Sequence, residues 1–179
     1  MRVAAGWLSG GSVLDAGCNI ADLVRFLPAN VDYVGLEALS AVVELVRGRY
    51  PDRRFEAADL EAPWPAAVAA RRFGHVALLA VLEHLRDPVA VLVRAREVLE
   101  EGGTIVVTTP HPRARLPHEL GARLRVFSRD ATSEHVAFYD RVALSRMARA
   151  AGLVVVHYAT FQLRMNQLAV MAPPVTGPP

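Results

Sequence analysis

The sequence predicts an α/β domain with a seven-stranded, mostly parallel sheet, helices on both faces and an antiparallel hairpin at the C-terminal end. Short apolar runs alternate with segments of helical periodicity along nearly the whole chain. This alternation is typical of a parallel sheet wrapped by helices. The last two apolar runs follow each other closely, which favours an antiparallel pair. The predicted architecture is therefore Rossmann-like.

The boundaries of the elements follow from apolar runs and from proline and glycine signals. The predicted strands are residues 12–16, 33–36, 54–58, 76–80, 104–109, 153–159 and 166–171. The predicted helices are residues 21–27, ended by Pro28; 40–49, capped by Ser40; a short one after Pro65; 88–99, opened by Pro88 and ended by Gly102 and Gly103; and 141–151, ended by Gly152.

A chain of 179 residues with 53% hydrophobic residues is expected to form one domain, here over residues 1–172. The proline-rich tail, 173–179, is expected to be disordered. No apolar run approaches the roughly 20 residues that cross a membrane, and no signal-peptide pattern opens the chain. We therefore expect a cytoplasmic protein with no membrane partner.

Composition excludes several functional classes. All 20 basic residues are arginine, so a Schiff-base lysine and a P-loop lysine are both impossible. A net charge of +2 with 18 acidic residues is too balanced to predict a nucleic-acid partner. Cys18 is the only cysteine, which excludes an internal disulfide and a cysteine-built metal site. A small packed thiol is the favoured interpretation of Cys18 over a nucleophile.

Two strand ends carry the pattern of a nucleotide-type cofactor site. Residues 13–23 read VLDAGCNIADL, and residues 33–37 read YVGLE. A turn with Gly17 lets a ligand approach the backbone, and Glu37 can accept hydrogen bonds from a ribose diol. A pyrophosphate cofactor fits poorly because Asn19 and Ala21 stand where further glycines are expected. The alternative is an ordinary strand–turn–helix in which a buried Asp15 caps the turn.

The order of motifs resembles the class I S-adenosylmethionine-dependent methyltransferases, closest to the branch of ubiquinone and menaquinone biosynthesis. The matching segments are VLDAGC, YVGLE, EAADL, LLAVLEHLRDP (78–88), REVLEEGGTIVVTTP (96–110), EHVAFYD and RMARAAGLVVV. The resemblance runs from Ser12 to about Met171, and the LEHLRDP segment with the following Gly-Gly pair is its most distinctive part.

This resemblance implies S-adenosylmethionine as cofactor and a role for each matching position. Asp15 and Gly17, followed by Cys18, would form the loop around the methionine part. Glu37 would hold the ribose hydroxyls. The adenine would lie between Asp59, which would bind its amino group, and Leu60, which would give an apolar contact. Ala80 and Val81 would lie beside the methionine and the sulfonium.

Several departures from the family pattern support a competing hypothesis, a catalytically silent domain that acts through protein contacts. Asn19 and Ala21 replace glycines, and His75 replaces an acidic residue before the fourth strand. Asparagine tolerates positive φ best among non-glycine residues, so the loop can keep its shape. The family's N-terminal helices are missing ahead of Ser12, so the site is expected to be open or closed by another subunit, as in a homodimer.

Methyl transfer to a hydroxyl or amine needs a base, and His84 and His135 are the candidates because imidazole titrates near neutral pH. Glu83 and His84 could also bind a divalent metal, although no metal site is assigned. Backbone hydrogen bonding of His84 and capping by His135 are the structural alternatives. A nicotinamide-dependent dehydrogenase is disfavoured because Gly17 lacks partner glycines and the chain has no lysine.

The acceptor is expected to be a small hydroxylated or acidic metabolite. The Asn/Asp-Pro-Pro-aromatic motif of amino-methylating DNA enzymes is absent after the fourth strand, and Gly17 rather than proline precedes Cys18. The irregular segment 110–134 is predicted to be a lid or binding loop. Its five arginines favour an acidic acceptor, against the alternative of a solvated loop; they are Arg113, Arg115, Arg123, Arg125 and Arg129.

Overall fold

The computed structural model describes residues 1–114 and 137–174 and contains one seven-stranded sheet within them. The strands are β1 (Ser12–Ala16), β2 (Asp32–Glu37), β3 (Arg54–Ala57), β4 (Phe73–Leu79), β5 (Leu99–Pro110), β6 (Val154–Phe161) and β7 (Asn166–Ala172). The α-helices are α1 (Arg2–Ala5), α2 (Ser40–Arg49), α3 (Ala66–Ala69), α4 (Pro88–Glu97) and α5 (Arg141–Ala150). Short 3₁₀ turns cover Asp22–Phe26, Leu82–His84 and Pro112–Ala114.

The strand order is β3-β2-β1-β4-β5-β7-β6, and the first five strands are mutually parallel. β7 runs antiparallel to β5, and β6 runs antiparallel to β7. The predicted mostly parallel sheet with a C-terminal hairpin is therefore confirmed. From β1 to β3, successive strands are added toward one edge of the sheet, and from β4 onward they are added toward the other edge. Such a switch point between β1 and β4 opens a crevice at the carboxyl ends of the strands.

Two apolar clusters cover the two faces of the sheet, as the prediction of helices on both faces requires. One face packs against α4 and α5 through buried residues that include Leu92 and Leu144. The other packs against α1 and α2 through residues that include Ala4 and Val46. Apolar burial on both faces explains why the central strands read as nearly continuous apolar runs.

The start of β5 differs from the prediction. Gly102 and Gly103 were expected to end the helix that Pro88 opens, but α4 ends at Glu97 and both glycines lie inside β5. A Cβ on Gly103 would lie 2.9 Å from the Glu100 carbonyl oxygen and 3.0 Å from that of Gly74. The β4–β5 register also shifts between Phe73 and His75. The glycines therefore serve a strand irregularity, not a helix cap.

Smaller differences lie at the element ends. The predicted helix 21–27 is a 3₁₀ turn over Asp22–Phe26, and Ser40 is the first residue of α2 while Leu39 occupies the N-cap position. His75 lies within β4 and not before it, and its Nδ1 is 2.9 Å from the Thr104 hydroxyl. None of the described helices is long and apolar enough to cross a membrane.

Candidate functional site

Three loops at the carboxyl edge of the sheet meet around Gly17, which follows β1. Gly17 has a φ of +85°, and a Cβ there would lie 2.7 Å from Val81 Cγ2 and 3.6 Å from Leu60 Cδ1. The structure thus brings together three residues predicted for the cofactor site from positions far apart in the sequence. Only glycine combines this backbone conformation with this close approach.

The loop after β1 keeps the shape that glycines would give it. Gly17 and Cys18 donate their backbone N–H groups to the Leu36 carbonyl at 2.9 and 2.8 Å. Asn19 and Ala21 have φ values of 46° and 57°, in the left-handed region. The cost of this conformation for a residue with a Cβ is of order 1–2 kcal/mol, and Asn pays less than Ala.

Glu37, at the end of β2, fastens the same loop. Its Oε2 accepts the Asn19 N–H at 3.1 Å, and its Oε1 accepts the Leu39 N–H at 3.0 Å. Each carboxylate oxygen has a second lone-pair site, so Glu37 can hold the loop and still accept hydroxyl donors from a ligand. The carboxylate is partly exposed at the crevice.

Asp15 and Cys18 lie beneath the loop and not on its surface. Asp15 is buried within β1, and its Oδ2 accepts the Tyr33 hydroxyl at 2.8 Å. Burial raises the pKa of Asp15 to about 7, with the Tyr33 hydrogen bond acting in the opposite direction. Burial, with the nearby carboxyls of Asp15 and Glu37, raises the pKa of the Cys18 thiol. A buried, protonated thiol matches the packed role favoured above.

The loop after β3 carries Asp59 and Leu60 into the same crevice. Asp59 is exposed, and its Oδ1 accepts the Glu61 N–H at 2.9 Å. The Leu60 side chain is buried, and its carbonyl accepts the Trp64 indole N–H at 3.2 Å and the Arg94 guanidinium at 3.1 Å. An apolar side chain beside an exposed carboxylate can contact the face of a nucleobase while the carboxylate accepts hydrogen bonds from its edge.

The turn after β4 carries the predicted cofactor residues Ala80 and Val81. Ala80 is exposed with a φ of 58°, and its N–H donates to the Thr108 carbonyl at 2.9 Å. Val81 is buried against Gly17. The predicted cofactor residues Ala80 and Val81 are therefore adjacent to the loop after β1, as the strand order β1-β4 requires.

The polar groups beyond β4 and β5 have a different character. Glu83 is only 2% exposed and interacts with the Thr109 hydroxyl, but neither its Oε2 nor that hydroxyl makes a hydrogen bond of normal geometry with the described residues. Burial raises the pKa of the Glu83 carboxyl. His84 follows on the same 3₁₀ turn and is exposed. Its N–H donates to the Val81 carbonyl at 3.0 Å.

Several polar residues on this side were not predicted from the sequence. His111 follows β5, and its Nδ1 accepts the Arg113 N–H at 3.2 Å. Gln167 on β7 is fully buried; it accepts the Tyr158 hydroxyl at 2.8 Å and donates to the Pro110 and Tyr139 carbonyls. The sequence signal for His111 is its place directly after a strand end, where open α/β sheets bind ligands.

Some predicted residues lie outside the described residues. These are His135 and four arginines of the segment 110–134, namely Arg115, Arg123, Arg125 and Arg129. The described part of that segment comprises the end of β5, the 3₁₀ turn Pro112–Ala114 and the exposed Arg113. Within residues 1–114 and 137–174, no three His, Cys, Asp or Glu side chains cluster as a metal site would need.

Comparison with protein families gives a match over most of the chain. Residues 2–158 match a family described as "Methyltransferase domain". The chain belongs to the class I S-adenosylmethionine-dependent methyltransferases. S-adenosylmethionine is the cofactor of this family, and the family resemblance described above is confirmed.

Individual relatives are more distant. The ubiquinone biosynthesis O-methyltransferase of Aeromonas salmonicida is 28% identical over 173 residues, which cover 87% of this chain and 70% of the relative. The chain spans about two thirds of the length of two further relatives of that description.

Two solved structures share the fold. A chain of the complex between the Haloferax volcanii Trm112 methyltransferase activator and a methyltransferase has a TM-score of 0.78 at 16% identity, covering 97% of this chain and 88% of that one. An O-methyltransferase of neocarzinostatin biosynthesis, solved with S-adenosylmethionine and 2-hydroxy-5-methyl naphthoic acid, has a TM-score of 0.71 at 21% identity. The match covers 96% of this chain and 52% of that larger one.

The residues around Gly17 fit S-adenosylmethionine. Gly17 lets the loop after β1 pack closely against Val81 and Leu60, because a Cβ there would overlap Val81 Cγ2. Glu37 offers hydroxyl acceptors, and Asp59 with Leu60 offers a polar edge and an apolar face. With one glycine in the loop, the site has no phosphate cradle, which suits a cofactor that lacks a pyrophosphate.

Proposed function

We propose that this chain transfers a methyl group from S-adenosylmethionine to a hydroxyl of a small, acidic molecule. The observation that carries the proposal is the turn after β4, where Val81 and His84 are joined by a backbone hydrogen bond of 3.0 Å. Val81 packs against Gly17, and His84 ends the 3₁₀ turn that follows Val81. This short connection along the chain supports His84 as the proton acceptor beside the proposed cofactor site.

The cofactor supplies an activated methyl group on a sulfonium. Glu37 holds the ribose hydroxyls, and Asp59 with Leu60 holds the adenine. Gly17 allows the methionine part to approach the backbone. The main task left to the protein is to hold nucleophile and methyl carbon at near-attack distance, which can supply about 7–11 kcal/mol of the barrier.

His84 accepts the proton of the acceptor hydroxyl. His84 is exposed on the turn that follows β4, and the buried Glu83 lies next to it in the chain. A positioned general base contributes roughly 10²- to 10⁴-fold to the rate. His111, at the end of the neighbouring strand β5, is the alternative base within the described residues.

An acidic hydroxylated acceptor is supported by two observations. The exposed Arg113 lies three residues after the end of β5, and guanidinium groups recognise carboxylates in a bidentate way. The similar O-methyltransferases named above act in ubiquinone biosynthesis or were solved with a hydroxylated naphthoic acid. Hydroxynaphthoic acids, which carry both groups, are therefore suitable first probes.

The binding test uses calorimetry with S-adenosylmethionine, S-adenosylhomocysteine and NAD. We expect micromolar affinity for the first two and none for NAD, together with a rise in melting temperature that follows mass action. Stabilisation by NAD without stabilisation by S-adenosylhomocysteine would reject the proposal. Transfer of radiolabelled methyl to 2-hydroxy-5-methyl naphthoic acid, compared with its hydroxyl-free analogue, tests the acceptor class.

A catalytically silent domain of the same fold is the second candidate. It is favoured by Glu37, whose two carboxylate oxygens already serve the backbone of Asn19 and Leu39. Calorimetry and the transfer assay together separate the two candidates, because a silent domain transfers no methyl group, and one whose Glu37 is fully engaged also gives no heat with S-adenosylhomocysteine. Cofactor binding without transfer to any hydroxylated acid would retain the cofactor and reject the acceptor class.

A further inference from the structure

Glu61 links the loop after β3 to the segment after β4. Its Oε1 accepts the backbone N–H groups of Arg86 at 2.9 Å and Asp87 at 2.8 Å. Its Oε2 accepts the Arg86 guanidinium at 3.2 Å. Glu61 follows Leu60 on the β3 side, whereas Arg86 and Asp87 follow the turn Leu82–His84 on the β4 side.

Further hydrogen bonds connect the residues on both sides of Glu61 to helix α4. Asp87 is the N-cap of α4, and its side chain accepts the Ala90 N–H at 3.0 Å. The carbonyl of Leu60 is bonded to Arg94 of the same helix at 3.1 Å. The loop with Asp59 and Leu60 is therefore fastened to α4 and to the residues just before it.

We propose that Glu61 is a positioning residue of the cofactor site, which holds the loop of Asp59 and Leu60 against the turn of Val81. The reach of this effect follows from the contact at Gly17, where Leu60 and Val81 meet the space that a Cβ would fill. If the two loops separate, the adenine contacts of Asp59 and Leu60 move away from Val81, beside which the methyl group is proposed to lie. This inference rests on the proposed cofactor site.

Three variants separate the contributions of Glu61. Glu61→Ala removes all three hydrogen bonds. Glu61→Gln keeps an amide oxygen that can accept both backbone N–H groups. Arg86→Ala removes only an ion pair whose arginine side chain is 87% exposed, and such pairs contribute little. Asp32→Ala is the matched control, since it breaks an exposed ion pair with Arg71 at the start of β2.

The test is calorimetric titration with S-adenosylhomocysteine, with urea unfolding measured in parallel. We expect Glu61→Ala to raise the dissociation constant at least tenfold, while the other three variants stay within about threefold of the wild type. Amide hydrogen exchange without ligand should quicken at Arg86 and Asp87 in Glu61→Ala only.

The alternative outcomes are distinct. An unchanged dissociation constant in Glu61→Ala, with a wild type that binds, overturns the positioning role and leaves the proposed function intact. A loss as large in Glu61→Gln as in Glu61→Ala also overturns it, because backbone acceptance would not be the cause. A wild type that fails to bind S-adenosylhomocysteine rejects both the proposed function and the positioning role.

Discussion

The two halves of the crevice are built in opposite ways. On the side of β1, β2 and β3, Glu37 and Asp59 accept backbone N–H groups of the loops that follow these strands. On the side of β4 and β5, the buried Glu83 carboxyl and the buried Thr109 hydroxyl interact with each other, but Glu83 Oε2 and that hydroxyl make no hydrogen bond of normal geometry with the described residues. Backbone hydrogen bonds organise the first side, whereas two buried polar groups on the second side are incompletely hydrogen-bonded.

This difference matches what each half is proposed to bind. A rigid loop that needs no rearrangement lowers the entropy cost of binding a ligand that never varies. Unsatisfied buried polar groups cost free energy unless a water or ligand completes them. We therefore expect substitutions on the cofactor side to change affinity and stability, and substitutions on the acceptor side to change turnover.

The largest expected effect is on the acceptor side. With a hydroxyl acceptor, His84→Ala should lower kcat about 10²- to 10⁴-fold, because a general base is lost. Affinity for S-adenosylhomocysteine should change little. Steady-state kinetics with and without a chelator make the measurement, since a metal-binding role would show loss with chelator and recovery with a divalent ion. The control is His157→Ala, because His157 lies on β6 with its ring 4.7 Å from the Trp7 ring. Wild-type turnover in both conditions would make His84 structural.

Next is Gly17→Ala, which should destabilise the fold by about 2–4 kcal/mol. The left-handed conformation and the approach to Val81 Cγ2 both contribute. Urea unfolding measures the loss, and Val81→Ala in the same chain should recover the steric part. Gly48→Ala is the control, because a Cβ there meets nothing and lies in helix α2, where alanine stabilises by about 0.5–1 kcal/mol. Equal stability of Gly17→Ala and wild type would contradict the close approach.

Glu37→Ala should weaken binding of S-adenosylhomocysteine by about 1.5–3 kcal/mol, the scale of hydrogen bonds to a charged group. Calorimetry measures the change. Glu44→Ala serves as control, because Glu44 is an exposed α2 carboxylate paired with Arg47. If both variants bind like the wild type, the ribose is held elsewhere.

The smallest effect is expected for Ala21→Gly. Relief of the left-handed alanine, roughly 1–2 kcal/mol, is opposed by the loss of a buried methyl and by the greater freedom of glycine in the unfolded chain. We expect a stability change below about 1 kcal/mol and unchanged cofactor affinity. A tenfold gain in affinity would instead show that the Ala21 methyl obstructs the ligand.

Local sequence patterns were sufficient to predict the fold class and the carboxylates near the carboxyl ends of β2 and β3. Apolar runs and their spacing predicted all seven strands, because burial on both faces of a parallel sheet leaves a local pattern. The carboxylates Glu37 and Asp59 were placed correctly at strand ends for the same reason. Proline and glycine signals were less reliable, and the pair Gly102 and Gly103 was assigned to a helix end although it lies in β5.

How these strand ends act together depends on the packing of the folded domain. The approach of Gly17 to Val81, the link from Glu61 to Asp87 and the burial of Glu83 join residues from separate elements. Such contacts depend on strand order and loop path, and neither leaves a periodic trace in the chain. Local patterns record which face of an element is buried, whereas the identity of the neighbour is set by the packing of the whole domain.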